Sequence, residues 1–377
     1  MKKKLVSALL IFSMAATMMA CGKSEDEATI DGANSSTDGD VQVTVSDDSV
    51  DGAFWEQTKD GKVRSYLTGD WVDEKYGRQR PVAVMVENTK AALPQYGIGN
   101  AGIIYECVVE GGITRMMAIF DDYSGLEQIG NVRSSRPYYV MFASEYDAIY
   151  AHAGGNPAAF ELINGGLVDN LDVNALDGKT KGKNVGYRTG TSEHTLYTYS
   201  DGIDMGIEKA GYDMSLPSDY EPHFSFSEEG NTLSDGEDCQ AIDLYYFTNS
   251  PRWVYNESDG LYYRYEFNNG KNKQIDAITG EQLTAKNIII ETVDWFTYEG
   301  SQYLGYLMSY NTGTGKFITN GKMVDITWSK GADDDITHYY YENGEEIQLN
   351  IGTTWIQACQ DDYVDQNVYY ASADDVK

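Results

Sequence analysis

Five basic side chains are the residues most able to do chemistry in this strongly acidic chain. They fall at the ends of predicted strands, where the loops of α/β sheets converge on ligands. These residues are Arg115, Arg133, Arg136, His152 and Arg188. Arginine forks match phosphate and carboxylate groups, and backbone N–H groups at a helix start add donors. The pattern therefore predicts a pocket for an anionic ligand, with a phosphate or pyrophosphate as its most specific form.

Two carboxylates, Glu106 and Glu110, lie close to these basic residues in the sequence. On a single strand their even spacing would put both on one face. There they could hold a metal or act as a base, or they could form salt bridges with the arginines. We include both among the predicted ligand-binding residues. The sequence predicts no metal site and does not define a catalytic set or a cofactor.

The same basic residues also have a purely structural interpretation. Arg133 and Arg136 could pair with internal carboxylates, and His152 could be a hydrogen-bonded core residue. The candidate carboxylates are Glu87, Glu106, Glu110 and Asp147. The two interpretations differ in whether the guanidinium groups converge or are neutralised separately.

Short apolar runs predict the elements that would position these side chains. We predict strands over residues 82–86, 103–109, 115–120, 128–132 and 148–152, and helices over 137–146 and 156–163. The fourth strand is expected to pair with the third, Ser135 to cap the first helix and Asn156 the second. Strands that alternate with helices predict an α/β layered domain over residues 62–235.

Beyond about residue 224 the pattern becomes β-rich. Short runs of strand-forming residues alternate with turn signals such as Asn320-Gly321 and Asn343-Gly344, and helical periodicity is scarce. This pattern predicts a mostly antiparallel β domain over residues 236–372. The predicted fold class is therefore α+β, with an N-terminal α/β layered domain followed by this β domain.

The N-terminus predicts export and a lipid anchor. Lysines at positions 2–4 precede an apolar run over residues 5–19, and Ala20-Cys21 follows. This is the layout of a secretory signal peptide, here residues 1–20, and a Cys after the small residue indicates a lipoprotein. We predict lipid, such as palmitate, on Cys21. Residues 21–60 are rich in Ser, Asp, Gly and Thr, which predicts a disordered acidic tether.

Charge and cysteine content narrow the function classes. A formal net charge of −31 argues against nucleic acid as a partner. Cys107, Cys239 and Cys359 lie far apart with no CxxC spacing. We interpret them as buried small residues, with one disulfide possible but not implied.

Long segments carry a family resemblance. Residues 80–88, 109–115, 130–138, 150–155 and, further on, 279–285 and 352–357 resemble the YerB-type bacterial lipoproteins. The resemblance covers nearly all of the chain beyond the predicted tether. It implies two domains of unknown function.

A more distant resemblance concerns the first domain alone. Residues 82–87, 114–120, 129–136 and 150–163 are similar in order to the core of LytR-CpsA-Psr proteins. Those are extracellular phosphotransferases that move glycopolymers from a polyprenyl-pyrophosphate carrier to the cell wall. The resemblance implies that Arg115, Arg133 and Arg136 hold a pyrophosphate. Gly112-Ile113-Thr114-Arg115 stands where those proteins have Arg-Ser-Asp-Thr, so the acid that helps to place their metal is absent.

Together these observations predict a lipoprotein on the extracellular face of the cell membrane. Its predicted role is an envelope-associated binding or accessory protein with an anionic-ligand pocket. The alternative is a phosphotransferase-like enzyme acting on polyprenyl-pyrophosphate-linked cell-wall precursors, with Glu106 or Glu110 in place of the missing acid. A solute-binding lipoprotein would need two similar lobes, which the change from α/β to β sequence disfavours.

The predicted anchor can be tested by replacing one residue. Cys21→Ala removes the thiol that would carry the lipid, so the variant should leave the membrane fraction or stay unprocessed. Cell fractionation and palmitate labelling measure both effects. A variant that is processed and stays in the membrane fraction like the wild type would contradict the prediction.

Overall fold

The computed structural model describes residues 53–174, 177–178 and 181–376, with the backbone alone at 177 and 178. The predicted signal peptide, Cys21 and most of the predicted tether lie outside the described residues. Regular structure is present earlier than the sequence predicted, at a 3-10 turn over Phe54–Glu56. Phe54 and Trp55 pack on Phe226 with ring centroids 6.1 and 5.8 Å away. These aromatic contacts explain why this stretch is ordered.

An eleven-stranded mixed sheet is the centre of the fold. In chain order its strands are β1 Val82–Asn88, β2 Ile103–Val108, β3 Thr114–Phe120, β4 Ile149–His152, β5 Asn170–Asp172, β6 Glu237–Asp238, β7 Asn287–Val293, β8 Asn311–Thr319, β9 Lys322–Lys330, β10 Thr337–Tyr341 and β11 Thr354–Gln360. Their spatial order is β6-β9-β8-β7-β11-β2-β3-β1-β4-β5, and β10 also pairs with β9. Strands from both predicted domains therefore share one sheet.

The two halves of the chain meet where β2 pairs with β11. The strands run parallel, from Ile103 opposite Thr354 to Cys107 opposite Ala358. Both strands are buried along their whole length, as expected for parallel strands covered on both faces. The domain boundary near residue 236 stays a prediction, since the sheet continues across it.

Helices and small sheets cover both faces of the central sheet. The helices are α1 Glu74–Gly77, α2 Pro137–Ser144, α3 Pro157–Asn164 and α4 Ser200–Ala210. None of the helices in the described part of the chain is long and apolar enough to cross a membrane. The smaller sheets comprise the strands Thr58–Lys59, Lys62–Arg64 and Trp71–Asp73; Ile129–Gly130, Asp177–Gly178, Gly186–Arg188 and Leu196–Thr198; Ser225–Ser227 and Gln348–Asn350; Ala241–Asp243, Arg252–Asn256, Leu261–Glu266, Asn272–Lys273, Thr284–Ala285 and Val368–Tyr370; and Trp295–Thr297 and Leu304–Tyr306.

The fold class is confirmed, with three differences in detail. The strand Ile129–Gly130 pairs with Leu196–Thr198, because both edges of β3 are already occupied by β1 and β2. Asn156 caps α3 through Ala159 N–H, as predicted, but α2 starts at Arg136 without a side-chain cap. Helix α4 was not predicted from the sequence; its two glycines lower helix propensity but allow close packing on Leu171 and Val185.

A fully buried ion pair ties α2 to the second half of the chain. Lys330 Nζ lies 2.8 Å from Glu145 Oε1, and both side chains are excluded from solvent. The Thr337 hydroxyl donates to the same carboxylate. His223 Nδ1 lies 3.5 Å from Glu145 Oε2, while His223 Nε2 is 2.9 Å from the Thr337 carbonyl. The three cysteines within the described residues are free and buried.

This cluster predicts one component of the acid sensitivity of the fold. Burial lowers the pKa of His223 to about 4, although Glu145 opposes the shift. In the unfolded chain the imidazole of His223 is protonated near the ordinary histidine pKa of about 6.5. Stability therefore falls as the pH drops from about 6.5 towards 4, by about 2 to 3 kcal/mol at pH 4.5.

His223→Gln keeps an N–H donor for Thr337 but cannot titrate. The variant should lose less free energy of unfolding than the wild type between about pH 7.5 and 4.5, by the same 2 to 3 kcal/mol. Urea denaturation at the two pH values measures this difference. Equal losses in both proteins would contradict the assignment.

Candidate functional site

Arg115 is the centre of the candidate anion site. It follows Thr114 at the start of β3, and strand alternation places its side chain with Met117 and Ile119 on the face that α2 covers. Arg115 is only 6% exposed. Its Nη1 donates to the Ser134 carbonyl at 2.6 Å, and its buried Nε has no hydrogen-bond partner. One edge of this guanidinium is therefore left without an acceptor.

The charge of Arg115 is not neutralised. Within residues 53–174, 177–178 and 181–376 it forms no ion pair, although Glu87 stands directly opposite it in the β1–β3 register. Burial, and then repulsion from Arg136 and Arg133, lowers the pKa of Arg115 to about 10. The group is still cationic at neutral pH. Tyr138 and Glu110 offset this lowering of the pKa only in part. A buried cation without a directly bonded carboxylate has a physical preference for an anion.

Arg136, by contrast, has an internal partner. It sits at the N-cap of α2, and its Nε lies 2.8 and 2.9 Å from the two carboxylate oxygens of Glu110, with a further contact from Nη2. Burial alone would raise the pKa of Glu110, but the hydrogen bonds and charge of Arg136 outweigh it and hold that pKa below its ordinary value.

A hairpin from the second half of the chain covers this pair. Its strands are Trp295–Thr297 and Leu304–Tyr306. Leu304 N–H donates to Glu110 at 3.1 Å, and the Tyr303 ring lies 5.5 Å from the Arg136 guanidinium carbon. The Tyr306 ring stacks on Tyr138 at 4.4 Å. The second half of the chain therefore contributes to the surroundings of the arginine cluster.

Arg133 is shared between two carboxylates. Its Nε lies 3.5 Å from Glu87 Oε2 and its Nη2 lies 3.1 Å from Glu193. Glu87 is also bound by His194, whose Nδ1 is 2.7 Å from Glu87 Oε1. The contact of Arg133 with Glu87 is one that the structural interpretation named. Nothing in the sequence indicated that His194 would bind Glu87, because 107 positions separate the two residues.

His152 and Arg188 occupy different environments from Arg115. His152 is fully buried, with Nδ1 2.9 Å from the Gly154 carbonyl and Nε2 3.2 Å from Asn170 Oδ1. Both ring nitrogens of His152 therefore have hydrogen-bond partners within the core, as the structural interpretation of this residue expects. Arg188 Nη2 donates to Asn174 Oδ1 at 2.9 Å.

The loop after β4 nevertheless joins the loop that carries the arginines. Ala153 N–H donates to the Arg133 carbonyl at 2.9 Å, and Ser135 N–H donates to the Gly154 carbonyl at 2.8 Å. These contacts bring the N-terminal ends of α2 and α3 to the same edge of the sheet. Helix N-termini there favour negative charge.

Glu106 lies elsewhere, and its expected juxtaposition with Glu110 is wrong. Strand β2 ends at Val108 and Glu110 lies in the turn that follows. The alternation of side chains along a strand therefore does not apply to Glu110. Alternation puts Glu106 on the sheet face of Ile104 and Val108, opposite to the face of Arg115.

The partners of Glu106 form a closed polar network. Its oxygens accept from Asn88 at 2.9 Å, Thr114 at 2.7 Å and Arg264 at 2.7 Å. Arg264 is fully buried between Trp253 and Trp355, whose ring centroids are 5.0 and 4.5 Å away. The sequence could have indicated Arg264, because it alternates with inward-facing Tyr262 and Glu266 along one strand.

The described residues contain no group of three or more His, Cys, Asp or Glu placed to hold a metal ion.

Comparison with known proteins agrees with this architecture. Residues 67–213 match the N-terminal domain of a family described as protein of unknown function (DUF3048), and residues 242–356 match its C-terminal domain. These matches do not show the likeness of the first domain to LytR-CpsA-Psr proteins, which stays a prediction.

One relative is similar in both sequence and structure. The chain is 27% identical over 309 residues to YerB of Bacillus subtilis (strain 168), a protein that is named as a lipoprotein. The aligned region covers 80% of this chain and 87% of YerB. The crystal structure of the B. subtilis YerB protein superposes with a TM-score of 0.71 at 25% identity, covering 82% of this chain and 100% of that one. The chain therefore belongs to the DUF3048 family, carries both of its domains and has the YerB fold.

Proposed function

We propose that this chain is a lipid-anchored extracellular lipoprotein that serves as a binding or accessory protein of the cell envelope. The signal-peptide pattern that ends at Cys21 supports the anchor, as does the likeness to a protein named as a lipoprotein. The acidic segment over residues 21–60 would hold the folded body away from the lipid.

The ligand that we propose for the first domain is an anion with phosphate-like oxygens. The observation that carries this proposal is the uncompensated charge of Arg115, buried beside Arg133 and Arg136. A phosphate or pyrophosphate oxygen could accept from Arg115 Nε while the N-terminal end of α2 adds a favourable dipole. His152, Arg188, Glu106 and Glu110 have internal partners, so we assign them supporting places around the ligand or within the fold.

The geometry favours binding over the phosphotransferase alternative. That alternative needs Glu106 or Glu110 as a free acid near the arginines. Glu106 is held by Arg264 on the opposite sheet face, and Glu110 is bound by Arg136 and Leu304. Neither carboxylate is free to replace the missing acid.

Arg115→Met separates a ligand-binding role from a structural one. Removing an unpaired buried cation removes its desolvation cost, so the melting temperature should stay the same or rise. Pyrophosphate affinity should fall at least about tenfold, because a charge-assisted hydrogen bond is lost. Calorimetry on the full-length protein in detergent, with thermal unfolding of the same samples, measures both.

Arg78→Met is the matched control. Among the residues that the structure describes, Arg78 also has no carboxylate partner, but it donates to the carbonyls of Arg64, Gly77 and Trp55 at 2.8 to 2.9 Å. This variant should bind pyrophosphate like the wild type. A large drop in the melting temperature of Arg115→Met, or unchanged pyrophosphate binding by it, would refute the proposed site.

Glu106→Gln tests the enzyme alternative. The change leaves the buried Arg264 charge with poorer compensation, so the protein should lose about 3 kcal/mol of stability. Pyrophosphate affinity should stay within about twofold of the wild type, because the two sites lie on opposite faces. Release of polyprenyl phosphate from a lipid-linked precursor by the wild type, abolished in folded Glu106→Gln, would instead favour catalysis.

A further inference from the structure

A histidine–carboxylate pair lies beside the arginine cluster and is not used by the site described above. His194 Nδ1 is 2.7 Å from Glu87 Oε1. The Glu87 side chain is 2% exposed, whereas that of His194 is 29% exposed. A buried carboxylate thus holds one ring nitrogen of a histidine whose ring still reaches solvent.

Surrounding contacts fix this imidazole in place. His194 lies in the turn Glu193–Thr195, where its N–H donates to the Ser192 hydroxyl at 3.3 Å and its carbonyl accepts from Asn131 Nδ2. Thr89 donates a second hydrogen bond to Glu87, also at 2.7 Å. With Nδ1 committed to Glu87, Nε2 is the nitrogen left for another partner. Among the residues that the structure describes, Nε2 has no hydrogen bond, and Glu193 Oε1 is 4.0 Å away.

Arg133 and Arg115 connect this pair to the proposed anion site. Arg133 contacts both Glu87 and Glu193, and Glu87 faces Arg115 across the β1–β3 register. The histidine is therefore linked through Glu87 to Arg133, one member of the cationic cluster.

We propose that His194 is a further anion-binding residue of this cluster, and that its protonation strengthens binding of a phosphate-like oxyanion. This inference rests on the proposed function. With Nδ1–H directed to Glu87, the protonated ring carries a second N–H, on Nε2, that can donate to the anion. The neutral ring in the same position offers a lone pair there, which repels an anion.

Charged groups from several elements surround His194. Glu87 on β1 and Glu193 on the adjoining turn are acidic, Arg133 contacts both of them, and Arg115 on β3 stands opposite Glu87. Lys90 lies exposed on the turn Lys90–Ala92, which packs against the turn of His194. A bound anion offsets the arginines, so anion binding and protonation of His194 should promote each other.

Sulfate is the suitable probe, since it carries the same charge throughout the range of histidine titration. Calorimetry on the full-length protein in detergent should give affinities about tenfold tighter near pH 5.5 than near pH 8.5. His194→Gln should bind sulfate with the weaker, alkaline affinity at both pH values.

The chain offers a matched control in His338. Its Nδ1 is also 2.7 Å from a carboxylate, Glu346, but the two side chains are 45% and 50% exposed and lie on the edge strand β10. His338→Gln should keep the wild-type pH response. Should His194→Gln fold poorly, the ring-proton NMR signal of His194 in the wild type supplies a second measurement. Its titration midpoint should move to higher pH when sulfate is added.

The possible results distinguish the role of His194 from the anion site proposed at Arg115. Sulfate binding that depends on Arg115 but has the same affinity at both pH values would overturn the role of His194 and leave the anion site standing. A pH response that persists in His194→Gln would do the same. Absence of sulfate and pyrophosphate binding at either pH would overturn both.

Discussion

The parallel pairing of β2 with β11 is the contact on which the rest of the structure depends. It merges strands from both halves of the chain into one sheet, so the two family domains share one continuous layer. A buried ion pair reinforces the junction on each face: Glu106 with Arg264 on one, and Glu145 with Lys330 on the other. Such pairs add little net stability but make separation of the halves costly, because either partner left alone would be a buried, uncompensated charge. They select one arrangement of the two halves.

Against this background Arg115 is an exception that points to function. The buried cations Arg80, Arg264 and Lys330 each contact a carboxylate. Arg115 is similarly buried, but within the described part of the chain its hydrogen-bond partner is the Ser134 carbonyl and it contacts no carboxylate. Its cross-strand neighbour Glu87 turns instead to His194 and Arg133. A buried cation without a bonded carboxylate costs stability, and an anionic ligand that completes its charge balance is the physical reason that we propose.

The sequence predicted local elements well and long-range partners poorly. Apolar runs located β1, β2, β3 and β4, and the Asn156-Pro157 signal located the start of α3, because these features depend on neighbouring residues. The single shared sheet was not predicted, since the pairing of β2 with β11 joins segments about 250 residues apart. The residue types were enough to identify the basic cluster. Only the three-dimensional structure shows that Arg136 is paired with a carboxylate whereas Arg115 contacts a carbonyl. Glu106 shows the limit most clearly: its position on a strand was predicted, but its partner Arg264 lies in the other half of the chain.

The central claim is that an external anion, and no carboxylate of the protein, balances the charge of Arg115. The most direct measurement is a crystal structure of the protein grown with pyrophosphate. We expect electron density for a phosphate group within hydrogen-bonding distance of Arg115 Nε, with Arg136 still bound to Glu110. A well-ordered Arg115 that pairs with Glu87 or another internal carboxylate, with no anion beside it, would show that Arg115 is not an anion site.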